Sequence, residues 1–203
     1  ALRKKLESYP QKENLSYDLH FLYGLRKRIQ LEGNGPRLLL LKGNTLLIPT
    51  YFADILNVVD MDNLGVKAVD MNPGREETKE NNGEKYFNDA TNCFQGWQSC
   101  TGCHPGEGRA DGMNWDLMND GVGNSKNCKS MLYSHVTAPS MISGIRETAE
   151  WAVRAGFKFI QFFEVKEEHA VCVDAYLKAL RPVPSPLLVN GELSEKAKEG
   201  RKV

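Results

Sequence analysis

The run Cys-Thr-Gly-Cys-His at Cys100–His104 constrains this chain more than any other stretch. On one helical turn its two cysteines and its histidine stand at i, i+3 and i+4, so their side chains leave the helix on one face. A flat macrocycle can then form thioether bonds to both cysteines while the imidazole coordinates its iron. This spacing is the attachment signature of c-type haem. The sequence therefore predicts one covalently bound haem c per chain, held by Cys100 and Cys103, with His104 as an iron ligand.

Three other interpretations of the same run remain open from the residues alone. A zinc site uses thiolates and imidazoles but needs a fourth ligand, and the other cysteines stand singly at positions 93, 128 and 172. A thioredoxin-like redox pair would follow a strand in a βαβ unit, a pattern that this chain lacks. Chance occurrence is the third. A disulfide between Cys93 and Cys128 and a pair of buried free thiols are both compatible with the remaining cysteines.

Composition and charge argue against several classes of function. Among 203 residues, 26 are basic and 26 are acidic, so no net field attracts nucleic acid, and we expect none to bind. No stretch reaches the ~20 apolar residues of a membrane-spanning helix. Haem is attached covalently outside the bacterial cytoplasm or in an equivalent organelle, so the motif predicts an exported, periplasmic or extracellular protein. Because the chain begins at Ala1 without an initiator methionine, we expect a processed or truncated chain.

The first third of the chain favours β-strands. Apolar runs alternate with turn residues there, and Gly43-Asn44 between two such runs is typical of a tight hairpin. The predicted strands cover residues 22–31, 37–42, 45–51 and 55–60, and a polar linker follows over 61–82. The pattern predicts a small antiparallel β segment within a first domain of residues 1–72.

The rest of the chain favours helices. Helical periodicity begins at Gly83 and returns over residues 145–155 and 166–180, and Pro182 ends the last of these stretches. Residues 105–127 are rich in Gly, Asn and Asp and predict a long loop. Ser194 is a plausible N-cap for a further helix over residues 193–203. We therefore expect an α+β chain with a mainly helical haem domain over residues 73–192.

The sixth ligand of the iron decides whether a haem carries electrons or reacts with peroxide. Met141 follows a loop beside turn residues, and a thioether ligand would raise the reduction potential. His135 is the second candidate, with the lower potential that a second imidazole confers. A core gap-filler for Met141 and a hydrogen-bonded surface side chain for His135 are the structural alternatives.

Other polar and aromatic residues are candidates to contact the porphyrin. Arg109, Lys126 and Arg146 are candidates to neutralise its propionates, with ordinary solvated charge as the alternative. Trp97 and Trp115 are candidates to pack on the ring edge. An acidic loop also offers oxygen ligands for Ca²⁺, although its spacing departs from the known calcium-loop pattern. Its residues are Asp111, Asn114, Asp116, Asn119 and Asp120.

Two parts of the chain resemble known families. Asn34–Arg37 followed by Gly43–Asp60 resembles one blade of the YVTN-type β-propeller repeats, and such a blade needs neighbours to bury its faces. From Gly83 onward the chain resembles the cytochrome c domains related to bacterial di-haem cytochrome c peroxidases and MauG, of the kind that follows YVTN repeats. The matching pieces are Gly96–Cys100, Cys103–Pro105, Gly108–Leu117, Asn119–Gly121, Gly123–Asn124, Lys129–Ser130, Ala152–Gly156, Pro182–Pro186 and Leu193–Gly200.

That family usually carries two haem motifs, whereas this chain has one. The resemblance therefore implies a piece of a longer protein, cleaved or truncated, in which residues 193–203 start a second haem domain. It also implies that such domains hold calcium between them.

Together these observations predict a c-type haem protein that transfers electrons to or from a partner redox centre. The partner would be another protein or a second haem domain, within a larger complex. The alternative is a peroxidase-like or MauG-like oxidoreductase acting on peroxide, so whether the chain is an enzyme stays open. A zinc-bound interaction domain is the third hypothesis.

Overall fold

The computed structural model describes residues 2–116, 122–141 and 143–203. The chain divides into two compact units, Ala1–Arg75 and Glu76–Val203. An antiparallel sheet organises the first unit and helices organise the second, which confirms the α+β class. Within the described ranges, no helix is long and apolar enough to cross a membrane.

The first unit is built on a four-stranded antiparallel meander. Helix α1 (Leu2–Glu7) and a 3₁₀ turn precede it. The strands pair in chain order and are β1 (Leu40–Lys42), β2 (Thr45–Thr50), β3 (Ile55–Asp60) and β4 (Val66–Asp70). Lys42 lies opposite Thr45, so Gly43-Asn44 forms the predicted two-residue turn. Gly43 adopts a φ of 60°, a conformation that glycine tolerates without strain.

One strand prediction and the linker prediction are wrong. Residues 22–31 form turns and extended chain outside the ladder, because Gly24 turns the backbone at a φ of 75° and three charged residues follow it. The predicted linker 61–82 contains strand β4, whose residues are mostly exposed. Backbone pairing from Val59–Val66 to Ile55–Asp70 holds β4 in place, so its side chains need not show an apolar pattern.

The core of the first unit contains a fully satisfied polar side chain. Asn57 is 0% exposed and lies two residues before the equally buried Val59 on β3. Its Oδ1 accepts from the Glu32 amide at 2.9 Å, and its Nδ2 donates to the Glu32 carbonyl at 3.0 Å and to the Ile48 carbonyl at 3.4 Å. Asn57 therefore binds the segment around Glu32 to the sheet through hydrogen bonds, and none of its own buried polar atoms is left unpaired.

The second unit contains six helices and one short ladder among the described residues. The helices are α2 (Lys79–Asn88), α3 (Cys100–Cys103), α4 (Pro105–Gly108), α5 (Ala149–Phe159), α6 (Glu167–Ala179) and α7 (Glu195–Gly200). Strands β5 (Asn114–Trp115) and β6 (Lys126–Asn127) pair antiparallel, so the predicted long loop carries local structure. Thr148 caps α5 and Ser194 caps α7, each accepting a backbone N–H through its side chain. Because of the Thr148 cap, α5 begins four residues later than the periodicity predicts.

Helices α2, α5 and α6 enclose the core of the second unit. Its buried residues are Phe87, Val153, Phe157, Val173, Tyr176, Leu177 and Leu180. Phe87 and Phe157 are each 1% exposed, and full burial of such a side chain contributes about 2 kcal/mol. A Cβ on Gly83 would lie 1.9 Å from the carbonyl oxygen of Cys172, so only glycine allows α2 to approach α6 this closely.

Candidate haem-attachment site

The attachment motif lies on a single helical turn at the edge of the helical core. Cys100 and Cys103 are the first and last residues of α3, so their side chains stand three positions apart on one turn. The His104 amide donates to the Cys100 carbonyl at 2.9 Å and closes the turn. At His104 itself the backbone leaves helical geometry, with φ −117° and ψ 64°.

The Cys100 thiol is the more deeply placed of the two. Its residue packs against the core cluster of the second unit, and its Sγ lies 3.8 Å from Oε1 of Gln161. Burial raises the pKa of the Cys100 thiol to about 12. At neutral pH Cys100 is therefore a protonated thiol whose S–H can donate to Gln161.

The Cys103 thiol has a comparable acceptor in a more open setting. Its Sγ lies 3.8 Å from Oε1 of Gln98, and both residues are half-buried. Burial also raises the pKa of the Cys103 thiol. Each cysteine of the motif is therefore a free thiol facing a glutamine side chain.

His104 is held in an orientation that suits a metal ligand. Its Nδ1 lies 3.3 Å from the Arg109 carbonyl, which accepts a hydrogen bond from the Nδ1–H tautomer. Burial lowers the pKa of His104 and outweighs the opposite effect of the Arg109 and Lys129 carbonyls. The imidazole is therefore neutral near pH 7, and in this tautomer Nε2 carries the lone pair that can bind iron.

Cys128 lies beside the motif, which the sequence did not indicate. Its Sγ lies 2.8 Å from the Cys103 carbonyl oxygen and 3.5 Å from Nδ1 of His104. The β5–β6 ladder brings it there, and the Cys128 amide donates to the Met113 carbonyl at 3.2 Å. Cys93 and Cys128 are both free thiols, so the structure contains no disulfide between them.

The two candidates for the sixth ligand have different surroundings. Both ring nitrogens of His135 are occupied, Nε2 by Asp174 Oδ1 at 3.0 Å and Nδ1 by the Ser134 hydroxyl at 3.1 Å. The side chain of His135 is 2% exposed. Met141 instead lies on a turn and is 53% exposed. In this arrangement His135 has no free nitrogen for iron, and Met141 stays the predicted ligand.

The predicted propionate partners separate into two groups. Arg146 has a buried Nε without a hydrogen-bond partner, and the nearby Ser140 hydroxyl is also buried and unpaired. The backbones of these two residues pair with each other in a β-bridge. An unpaired guanidinium nitrogen is suited to a carboxylate. Arg109 and Lys126 are exposed, and Arg109 reaches the site through its carbonyl.

The two tryptophans that are candidates to contact the porphyrin differ in exposure and in hydrogen bonding. Trp97, three residues before Cys100, is 52% exposed and leaves a large apolar surface next to the motif. Trp115 is half-buried and donates from Nε1 to Asp111 Oδ2 at 2.8 Å. Its packing against a porphyrin stays a prediction.

The structure describes only part of the predicted calcium loop. Across the described ranges, no three His, Cys, Asp or Glu residues gather closely enough to hold an ion. The Asp111 carboxylate already accepts from the Met113 amide and from Trp115. Asn119 and Asp120 lie outside the described residues, so the calcium site stays a prediction.

The residues present fit a covalently attached haem. Two protonated thiols stand on one helical turn, and a neutral histidine follows them with its Nδ1 facing a carbonyl. In the same unit, buried polar atoms on Ser140, Arg146 and Gln161 lack partners and can meet polar groups of a ligand.

Comparisons with known proteins find similarity over part of the chain. No protein-family model matches the chain. The hydrazine synthase subunit gamma of Kuenenia stuttgartiensis is 31% identical over 136 residues, covering 60% of this chain and 38% of that protein. A solved structure of Kuenenia stuttgartiensis hydrazine synthase under 20 bar xenon has 28% identity and a TM-score of 0.46, covering 59% of this chain and 42% of that one. The chain thus spans less than half the length of either protein.

These comparisons correct the resemblance drawn from the sequence. The assignment to the group of di-haem cytochrome c peroxidases and MauG is wrong, because the curated relative that matches the chain is a hydrazine synthase subunit. Short motifs around an attachment turn reflect the local needs of that turn, and different activities can share them. Over part of its length, this chain is similar to the gamma subunit of hydrazine synthase.

Proposed function

We propose that this chain is a c-type haem redox unit that transfers electrons between its haem and a partner redox centre. The observation that carries the proposal is the attachment turn, where two free thiols precede a neutral histidine. In this function Cys100 and Cys103 would hold the porphyrin covalently, and His104 Nε2 would coordinate the iron. When bound, the haem supplies an iron that alternates between ferrous and ferric states.

The surrounding residues complete the proposed site. The Arg109 carbonyl keeps Nδ1 of His104 protonated and orients the ring, which raises the basicity of Nε2. Arg146 and Ser140 would pair with a propionate, and Trp97 would cover an edge of the ring. Met141 is the proposed sixth ligand, because His135 is held in hydrogen bonds to Asp174 and Ser134.

The similarity to a hydrazine synthase subunit supports a proposal about the assembly in which this chain works. Because that relative is named as a subunit of hydrazine synthase, we propose that this chain works within a multisubunit redox enzyme. The electron partner is then a redox centre elsewhere in that assembly. Covalent haem attachment further supports an exported location.

The test is expression of the full chain in a host that exports it and attaches c-type haem. We expect an intact mass increased by one haem, a c-type absorption band in the reduced protein, and retention of the colour after acid-acetone extraction. With Met141 as the ligand, the ferric protein shows a weak long-wavelength sulfur-to-iron band.

The Cys100→Ala, Cys103→Ala double variant is the control and should lose all covalently bound haem. Wild-type protein that is exported but carries no covalent haem would overturn the proposal. Stoichiometric zinc in that protein would then favour the zinc-bound interaction domain.

A further inference from the structure

We infer that Gln161 is a positioning residue that presents the Cys100 thiol for haem attachment. This inference rests on the proposed function. Gln161 follows the end of α5, sixty-one positions after Cys100 in the chain, yet its Oε1 lies 3.8 Å from Cys100 Sγ. It is 3% exposed, so water does not readily replace this contact.

The backbone of Gln161 is fastened on both sides. Its N–H donates to the Gly156 carbonyl at 3.0 Å, on the last turn of α5. Its carbonyl accepts from the Phe94 amide at 2.8 Å, in the 3₁₀ turn that leads toward the attachment motif. Gln161 thereby joins the end of α5 to the segment that carries Cys100. These two hydrogen bonds fix the position of its backbone and hence the point from which its side chain extends.

Only one of the two polar groups in the Gln161 carboxamide has a hydrogen-bond partner. Oε1 faces the Cys100 thiol, whereas the buried Nε2 has no hydrogen-bond partner. A buried amide that leaves its donor unpaired is costly, so a position of this kind needs a functional reason. Holding the S–H of Cys100 in one rotamer is such a reason.

The attachment step itself is a balanced addition. The Sγ–H bond of Cys100 breaks, Sγ bonds to the vinyl carbon next to the porphyrin ring, and the hydrogen adds to the terminal vinyl carbon. Neither an oxidant nor a reductant is consumed. The step requires that Sγ points at the vinyl group, and Oε1 of Gln161 limits the rotation of the thiol before the bond forms.

Cys103 provides an internal comparison. Gln98 faces its Sγ at the same 3.8 Å, but Gln98 is half-buried and lies only five positions away. Solvent can replace an acceptor of this kind, and the short connection already restricts Cys103. Gln161 should therefore matter for attachment at Cys100, and Gln98 should matter much less at Cys103.

The experiment uses the full chain, co-expressed with the haem c attachment machinery, as wild type, Gln161→Met, Gln161→Glu and Gln98→Met. Methionine keeps the length and volume of glutamine but removes the acceptor oxygen, and glutamate restores one. Thiol alkylation and peptide mass spectrometry measure the ratio of doubly to singly attached haem, counted only among chains that carry haem. The pyridine haemochrome band moves to longer wavelength when one vinyl group remains.

For Gln161→Met we expect the ratio to fall about fivefold, the factor that one hydrogen bond contributes, with Cys100 as the free thiol. Gln161→Glu should recover most of the double attachment, and Gln98→Met should match wild type. Because the ratio excludes chains without haem, a low yield of folded protein does not affect it.

Two results would overturn the inference while the proposed function survives. One is an unchanged ratio in Gln161→Met. The other is an equal loss of attachment at both cysteines, which would indicate a general folding defect. Absence of covalent haem in the wild type would instead contradict the proposed function itself.

Discussion

The sheet unit and the helical unit differ in how they treat buried polar groups. In the sheet unit, Asn57 uses both ends of its carboxamide, and the Thr50 hydroxyl donates to the Ile55 carbonyl at 3.0 Å. In the helical unit, buried polar atoms of Ser140, Arg146 and Gln161 have no partner. Folded proteins pair nearly all such atoms, so unpaired ones mark positions where a ligand can complete the pairing.

The helical unit also contains buried polar groups that are paired. His135, Arg154 and Asp174 form an ionic and hydrogen-bonded cluster in which His135 and Asp174 are buried and Arg154 is half-buried. Arg154 Nη1 lies 2.6 Å and His135 Nε2 lies 3.0 Å from the two carboxylate oxygens of Asp174. The cluster joins α5 and α6 to the 3₁₀ turn Ser134–Val136. Among the described residues, the helical unit therefore holds unpaired buried groups on Ser140, Arg146 and Gln161 and a paired cluster around Asp174.

The largest expected effect comes from removing Asp174. The Asp174→Ala variant leaves Arg154 and His135 without their shared carboxylate in a nearly dry site, where Asp174 is 6% exposed. We expect a loss of about 3–5 kcal/mol in the free energy of unfolding. Denaturation followed by tryptophan fluorescence measures it, because all three tryptophans lie in the helical unit, at positions 97, 115 and 151.

The matched control is Glu167→Ala. Glu167 also pairs with Arg154, but its side chain is 70% exposed, so its loss should cost less than about 1 kcal/mol. Equal effects of the two substitutions would show that burial does not distinguish these carboxylates.

A smaller effect is expected from Asn57→Ala in the sheet unit. The change leaves the amide and carbonyl of Glu32 without their side-chain partner, and we expect about 2 kcal/mol of destabilisation. Hydrogen exchange at the amides of β2 and β3 measures the loss. Asn63→Ala is the control, because Asn63 is an exposed turn residue. Similar exchange rates in the two variants would mean that the hydrogen bonds of Asn57 do not stabilise the sheet unit.

The smallest effect concerns the exposed pair Glu150–Lys178, which joins α5 to α6 at 2.7 Å. The hydrogen bond from Lys178 lowers the pKa of Glu150 from 4.5 to about 2. A carboxyl group with a depressed folded-state pKa contributes stability above its unfolded pKa and loses it as the pH falls. The loss should occur between about pH 4.5 and pH 2, and screening by solvent limits it to about 0.5 kcal/mol.

Denaturation of wild type and Glu150→Gln near pH 6 and near pH 3 measures the contribution of this ion pair to the free energy of unfolding. The two proteins should differ in stability near pH 6, and the difference should be smaller near pH 3, because Glu150 is protonated in the unfolded chain there and becomes protonated in the folded protein only near pH 2. A difference that stays constant over this range would contradict the ion pair as its source.

Local signals predicted the elements that depend on neighbouring residues. The Gly43-Asn44 hairpin and the Ser194 cap follow the sequence because each forms within a few residues. Helix α6 ends before Pro182 for the same reason. Strand β4 escaped prediction because edge pairing with β3, and not its own side chains, makes it a strand.

The sequence by itself determined the attachment turn, since the spacing of Cys100, Cys103 and His104 is a property of one helical turn. Only the tertiary structure decided what surrounds each of these groups. Gln161 comes to Cys100 from sixty-one positions away, and Cys128 comes to His104 from twenty-four. The physical reason is range: helical periodicity acts over a few residues, whereas burial and hydrogen-bond pairing between distant segments depend on how the whole unit folds.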